Sequence, residues 1–317
     1  MIHSVSDYFA RLSRAFGDGW ARFWFIPSDP ATVSAIRLLT GLVAVYLHAT
    51  LSFDLDAFFG PQGMLPVTDI APLEGNNFSY LNFATSTSEV WVMHLLGLAV
   101  LVLFAAGLWT RITTVLALVV FLSVVHRAPM ITGRTEAVVA MVMLYLCLAP
   151  CGARFSLDAW RAARQNSQRS EVQLPLSTTA TIAGRLIQVH LSLLVAMMAF
   201  SQLSEGVWWD GAGIWFLITR EQSRLVDFTG LVSSPLLVDL WTHILIGFEL
   251  LFPVLIWVPI FRPLLLALGV FVWTSLGLIT GDLTFALMLV IASLAFISPC
   301  TILAIAERRG TTRAQAA

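Results

Sequence analysis

The sequence predicts an all-α, polytopic membrane helix bundle with about eight spanning helices, and three observations carry that expectation. Apolar residues make up 58% of the 317-residue chain and charged residues only 12%, whereas soluble domains are about half apolar and a quarter charged. Mean hydropathy is +0.83, so water could not solvate most of the chain. Uncharged runs such as Leu38 to Phe53, Pro263 to Gly281 and Leu283 to Ala306 approach or exceed the roughly 20 residues that cross a hydrocarbon core of about 30 Å.

Residues 1–28 read as an amphipathic segment lying in the membrane face. Asp7, Arg11, Arg14, Asp18 and Arg22 interrupt it, which leaves no signal-peptide core. Tyr8, Phe9, Leu12, Phe16, Trp20, Phe23 and Trp24 supply an apolar side. The membrane domain covers 29–306, with spans near 31 to 52, 89 to 109, 112 to 126, 135 to 150, 180 to 201, 236 to 259, 262 to 280 and 283 to 305, and 307–317 form a tail. Short connections at Trp109 to Arg111 and at Pro259 to Pro263 imply antiparallel hairpins. No internal repeat is visible.

Orientation follows from arginine, because the chain has no lysine and all 18 basic residues are arginine. With the N-terminus inside, the inner segments hold twelve (11, 14, 22, 111, 154, 161, 164, 169, 262, 308, 309 and 313) and the outer loops four (Arg127, Arg134, Arg220 and Arg224). The positive-inside rule then puts both termini in the cytoplasm of a cell (inner) membrane. One outer loop, Phe53 to Ser88, carries Asp54, Asp56, Asp69 and Glu74 and the turn signals Gly60-Pro61 and Leu65-Pro66. The other, Gln202 to Pro235, holds Trp208, Trp209, Trp215 and Phe216 around Asp210 and Gly211. Such loops could roof a chamber between helices; an aromatic belt at the interface accounts for the composition equally well.

Ionisable groups within spans usually face a bundle interior or a water-filled cavity. Here they are Arg37, His94, Glu136, Arg185, His190, Asp239, His243 and Glu249. Arg37 and Arg185 can snorkel to head groups, and His94 and Asp239 lie near helix ends. In the fifth span Gln188, Leu191, Val195, Met198 and Gln202 share one face, with the two amides roughly 21 Å apart. Asp239 and His243 are one turn apart, suited to a pair in which the carboxylate sets the imidazole tautomer; helix-packing glue is the other reading. His190, His243 and Asp239 are the weak candidates for catalysis. Cys147, Cys151 and Cys300 fit small buried hydrophobes rather than a disulfide framework. No metal-ligand cluster, phosphate-binding glycine loop or nucleophile elbow occurs, and no pattern points to nucleic acid.

Several stretches, taken in order, resemble the HTTM family, the horizontally transferred transmembrane domain found in the vitamin K-dependent gamma-carboxylases. They are Arg22 to Pro30 (RFWFIPSDP) with Arg37, Leu55 to Pro66, His126 to Pro129, Gly152 to Asp158, Arg185 and Gln188, Leu203 to Gly211, and Phe248 to Pro253. The resemblance implies a helix bundle with an outward-facing chamber for a quinone or other lipid. It also places Gln202 where the carboxylases carry a catalytic lysine, and an amide cannot serve as a general base near neutral pH. Gamma-carboxylase activity is therefore not expected, and whether the chain is an enzyme stays open. A family histidine registers with Trp273. The expected ligand-binding residues are Gln202, Trp208, Trp209, Asp210, Gln188, Arg185 and Trp273. Some family members assist maturation of a secreted peptide, so an accessory role toward an exported partner is a second expectation, and a quinol-dependent redox enzyme with a histidine base is a third.

Overall fold

The computed structural model describes residues 2–64, 78–165, 176–219 and 226–315, with the side chains of 2–7, 10, 231, 232 and 308–315 left aside. Asp69, Glu74, Leu65-Pro66, Arg169, Arg220 and Arg224 of the sequence reading lie outside these residues. The described chain is helical, without a strand; its one isolated bridge joins Ser28 and Ser177. The helices are α1 (Ile2–Phe25), α2 (Ala31–Thr50), α3 (Leu55–Phe59), α4 (Thr87–Ala106), α5 (Thr110–Arg127), α6 (Arg134–Leu146) and α7 (Leu157–Gln165). They continue as α8 (Thr178–Leu203), α9 (Gly206–Trp209), α10 (Gly213–Ile218), α11 (Pro235–Leu255), α12 (Arg262–Thr280), α13 (Leu283–Ser293) and α14 (Pro299–Gln315).

Six of these helices are long and apolar enough to cross a membrane: α2 continued to Phe53, α4, α5, α8, α11 and α12. A seventh crossing exists if α13, continued to Phe296, is joined to α14 across a 110° bend. All eight apolar runs of the sequence are helical, but two depart from the expected simple span. The run near 135 to 150 contains a helix of only 13 residues, and the run 283 to 305 breaks between Phe296 and Pro299. Both short helices are central: α6 and α13 pack on one another and on α2, and Val139, Val142, Met143, Leu146, Met288 and Ala292 are fully buried. A helix sheathed by protein need not match the bilayer thickness, since its ends are satisfied by neighbours rather than by lipid.

Side-chain ties define the two ends of the bundle. At the end carrying the termini, Asp29 accepts both guanidinium N–H groups of Arg154 (2.9 and 2.6 Å). Asp158 accepts the backbone N–H of Trp109 and Thr110 (2.9 and 2.8 Å), capping α5. Arg37 is fully buried and donates to the carbonyls of Phe104 and Ala105 (2.9 and 2.7 Å) and of Phe155. It therefore does not snorkel; its charge sits on the C-terminal dipole of α4. Gly41 allows α2 to approach α4 closely, for a Cβ there would come within 2.7 Å of Ala105 Cα. At the opposite, loop end, Leu55, Phe59, Leu81, Ala84, Val90 and Ala128 form a second apolar cluster. Two pieces of the family resemblance, 55–66 and 126–129, contribute to it.

α1 projects its aromatic side outward, with Tyr8, Phe9, Phe16 and Trp20 exposed and Trp20 flanked by Phe16 and Trp24. Its C-terminal turn is tied in: Phe23 packs on Trp257 and lies under the Arg185 guanidinium.

Candidate functional site

α8 begins with Ser177 accepting the Ala180 N–H and carries the stripe read from the sequence. Leu191 and Val195 are fully buried, and the two amides stand at its ends. At the terminal end Gln188 donates to Ala295 O (2.6 Å) and accepts from Arg185 (2.9 Å), which also donates to Phe23 O (3.1 Å). Arg185 and Gln188 are thus tethers between α8, α1 and the α13 break.

Gln202, at the loop end, lines a chamber of about 750 Å³. That size is ample for an amphipathic ligand, since ligand pockets run about 300–1,000 Å³. Leu194, Met197 and Met198 of α8, Leu217 of α10 and Leu276 of α12 form apolar walls. Arg134, Glu205, Thr280 and Asp282 make the rim polar. Arg134 pairs with Asp282 (3.3 Å) and lies over Phe285, so the starts of α6 and α13 close one side. Trp208 is buried in the wall against Gly213. The Ile214 N–H, held by the Thr242 hydroxyl (3.1 Å), fastens α10 to α11.

Behind this lining stands Glu249 of α11, completely buried. Gln202 and Arg134, both lining residues, are the polar groups that act on its carboxyl. The Gln202 contact does not meet hydrogen-bond geometry, however: both Glu249 oxygens and the Gln202 Oε1 are buried without a hydrogen-bond partner. The Gln202 amide thus links the chamber lining to an enclosed carboxyl that does not itself line the chamber.

The other sequence candidates fall elsewhere. Trp209 is exposed and donates its indole N–H to Leu203 O (2.8 Å), bracing the α8–α9 turn, and Asp210 is exposed beside it. Asp239 and His243 do pair (3.1 Å), half-exposed on the flank of α11. Gly211 packs directly over them, with a left-handed φ of 73° and a space that the Asp239 carboxylate fills. His190 bonds the Tyr145 hydroxyl (2.8 Å) between α8 and α6. No histidine is among the residues that line the chamber. Trp273 is buried against Phe248 and Phe252, its indole nitrogen unpartnered. Two further sites are weaker. A cleft of about 810 Å³ at the terminal end includes Cys147, Cys151 and Asp158, but Asp158 is engaged as the α5 cap. At the loop end the stacked rings of His48 and His94 (4.4 Å) meet Ser52 and Tyr80. Burial pushes the Tyr80 phenol up to about 12. The adjoining cavity is about 40 Å³, room for about one water.

No family model, curated protein or solved structure matches the chain. The functional reading therefore rests on the chamber.

The residues that sequence reasoning missed are Arg134, Glu205 and Asp282 on the rim, and Glu249, seen as an intramembrane acid but not joined to the site. Arg134 and Asp282 are 148 positions apart, so no local pattern could pair them.

Proposed function

We propose that this chain is an HTTM-type integral membrane protein that holds a lipid-like molecule, a quinone or another lipid, in the chamber between α8, α10 and α12, and that it lacks gamma-carboxylase activity. The observation that carries the reading is an apolar-walled cavity of ligand size with a polar rim and one amide, Gln202, in its lining. The resemblance of the Leu203 to Gly211 stretch to the family supports the same place, since its Glu205 and Trp208 line the chamber. Gln202 offers hydrogen bonds there but no useful proton uptake. The arginine distribution supports termini in the cytoplasm and a chamber that opens near the outer face.

Lipid extraction and mass spectrometry on gently purified protein test this. A stoichiometric lipid or quinone is expected, reduced in Gln202→Leu and in Met198→Trp, which fills the cavity. Equal ligand content in both variants and the native protein places the site elsewhere. Quinone epoxide formation by the native protein would refute the non-carboxylase reading.

A further inference from the structure

At the end of the bundle opposite the chamber, a cavity of about 200 Å³ lies between α2, α8, α12 and the break between α13 and α14. Two arginines line it, Arg185 of α8 and Arg262 of α12, and they are close enough to repel one another. Arg185 uses two of its nitrogens as tethers, Nε on Phe23 O and Nη1 on Gln188 Oε1. Arg262 uses only Nε, on Ile256 O (3.3 Å). The other N–H groups of both guanidiniums make no hydrogen bond to a described residue. Asp29, the one acid among the described lining residues, does not neutralise them, because Arg154 engages both of its oxygens (2.9 and 2.6 Å) and the Ala31 N–H takes a further place (2.8 Å). Four helices begin around the cavity, α2, α8, α12 and α14, whose first turns supply Thr32, Thr181, Arg262 and Pro299 to the lining. Each adds the positive end of its dipole to the same place. The Ser28 hydroxyl accepts from Thr181 (2.9 Å), and its own O–H donates to no described residue. The surface beside the cavity is apolar and exposed, with Phe25 and Ile26 before Ser28 and Leu264 after Arg262.

We propose that this cavity is an anion site in which Arg185 and Arg262 bridge one phosphate group, and that the phosphate belongs to the head group of an anionic lipid whose chains lie against Phe25, Ile26 and Leu264. Guanidinium forks match phosphate oxygens in geometry and charge, and a basic pocket between spanning helices is a recurrent head-group site. The space is smaller than the roughly 300–1,000 Å³ of pockets that enclose a whole ligand, which suits a head group whose chains stay outside. A free phosphate ion has the same chemistry, and the test separates the two sources. The site is independent of the chamber.

In the test, delipidated full-length protein is titrated with phosphatidic acid, phosphatidylglycerol and diacylglycerol of identical chains, and binding is read by native mass spectrometry with and without inorganic phosphate. Both phospholipids are expected to bind about tenfold tighter than diacylglycerol, the effect of charge-assisted hydrogen bonds. Arg262→Gln should remove most of that preference. Ser298→Glu places a negative charge at the exposed start of α14, where a helix tolerates an acid. It should remove the preference without disturbing a tether, which guards against misfolding of the first variant. Arg111→Gln, which removes an exposed arginine outside the cavity at the same end, should leave the preference intact. Displacement of both phospholipids by inorganic phosphate, with diacylglycerol unaffected, overturns the lipid source and leaves the phosphate site standing. Equal binding of the three lipids to the native protein, a preference that survives both Arg262→Gln and Ser298→Glu, or one lost equally in Arg111→Gln overturns the site itself.

Discussion

Replacing Arg37 by leucine should be among the most destabilising single changes in the bundle. The guanidinium is fully buried and holds three carbonyls, those of Phe104 and Ala105 at the end of α4 and that of Phe155 in the segment before α7. Phe104 O keeps a second partner, the Gly107 N–H at 3.1 Å, so the substitution strands chiefly Ala105 O and Phe155 O. Two buried carbonyls left without a donor cost about 1–3 kcal/mol each, and losing a cation from the α4 C-terminus adds up to ~2 kcal/mol, giving an expected loss of about 4 kcal/mol. Arg37→Lys should recover less than half, because one ammonium cannot bridge the α4 end and Phe155 as the planar fork does. The assay is reversible unfolding in mixed SDS micelles, followed by tryptophan fluorescence. A loss below ~1 kcal/mol for Arg37→Leu would refute the anchoring role and return Arg37 to the snorkelling reading.

Three further outcomes are expected. In a variant without Cys147, Cys151 and Cys300, single cysteines near Gln165 and at the C-terminus should be protected from an impermeant outside label, and cysteines near Asn76 and Ser223 should react; the reverse pattern would overturn the arginine count. Replacing Trp20 and Trp24 by serine should raise protease access to α1, since the exposed Trp20 and the half-buried Trp24 beside it supply apolar area at its aromatic side; unchanged protection would mean the segment is not held at the interface. Burial opposes ionisation of Asp158, yet the Thr110 and Trp109 N–H groups and the Thr110 hydroxyl, with help from Arg161, hold its carboxyl below the usual range. Its capping contribution should therefore be complete above the ordinary Asp value of about 3.9 and fade as pH falls through the lowered folded value; Asp158→Ala should cost about 1 kcal/mol at neutral pH, and equal melting temperatures for the two proteins at pH 7 would contradict the cap.

What was legible in the sequence is what depends on local order along one helix. The 3.6-residue stripe from Gln188 to Gln202 and the i,i+4 pairing of Asp239 with His243 are both present, because helical geometry alone sets them. The short helices α6 and α13 looked like spans because hydropathy records an apolar surround without saying whether it is lipid or protein. Arg37 was misread for a related reason: its acceptors lie 67 to 118 positions away, and a lone arginine near a helix start has the snorkelling signature. In the Trp208-Trp209-Asp210 run, composition could not tell which indole turns inward; the fold buries Trp208 and leaves Trp209 at the surface.

The pieces of the family resemblance divide physically into two groups, and the division explains why they need not all report on function. Asp29, Arg37, Arg154 and Asp158 lock the terminal end through ion pairing, buried carbonyl contacts and a helix cap. Among their buried atoms all but the Arg37 Nε are hydrogen-bonded there, and such a network rigidifies the scaffold. Gln202 sits toward the other end, in the lining of the chamber. A helix bundle of this kind can change what it binds by altering the chamber lining alone, because the terminal end holds α2, α4 and α5 in register. On that basis substitutions at Gln202 should alter ligand choice at little cost in stability, whereas substitutions at Arg37 or Asp158 should alter stability with little effect on ligand choice.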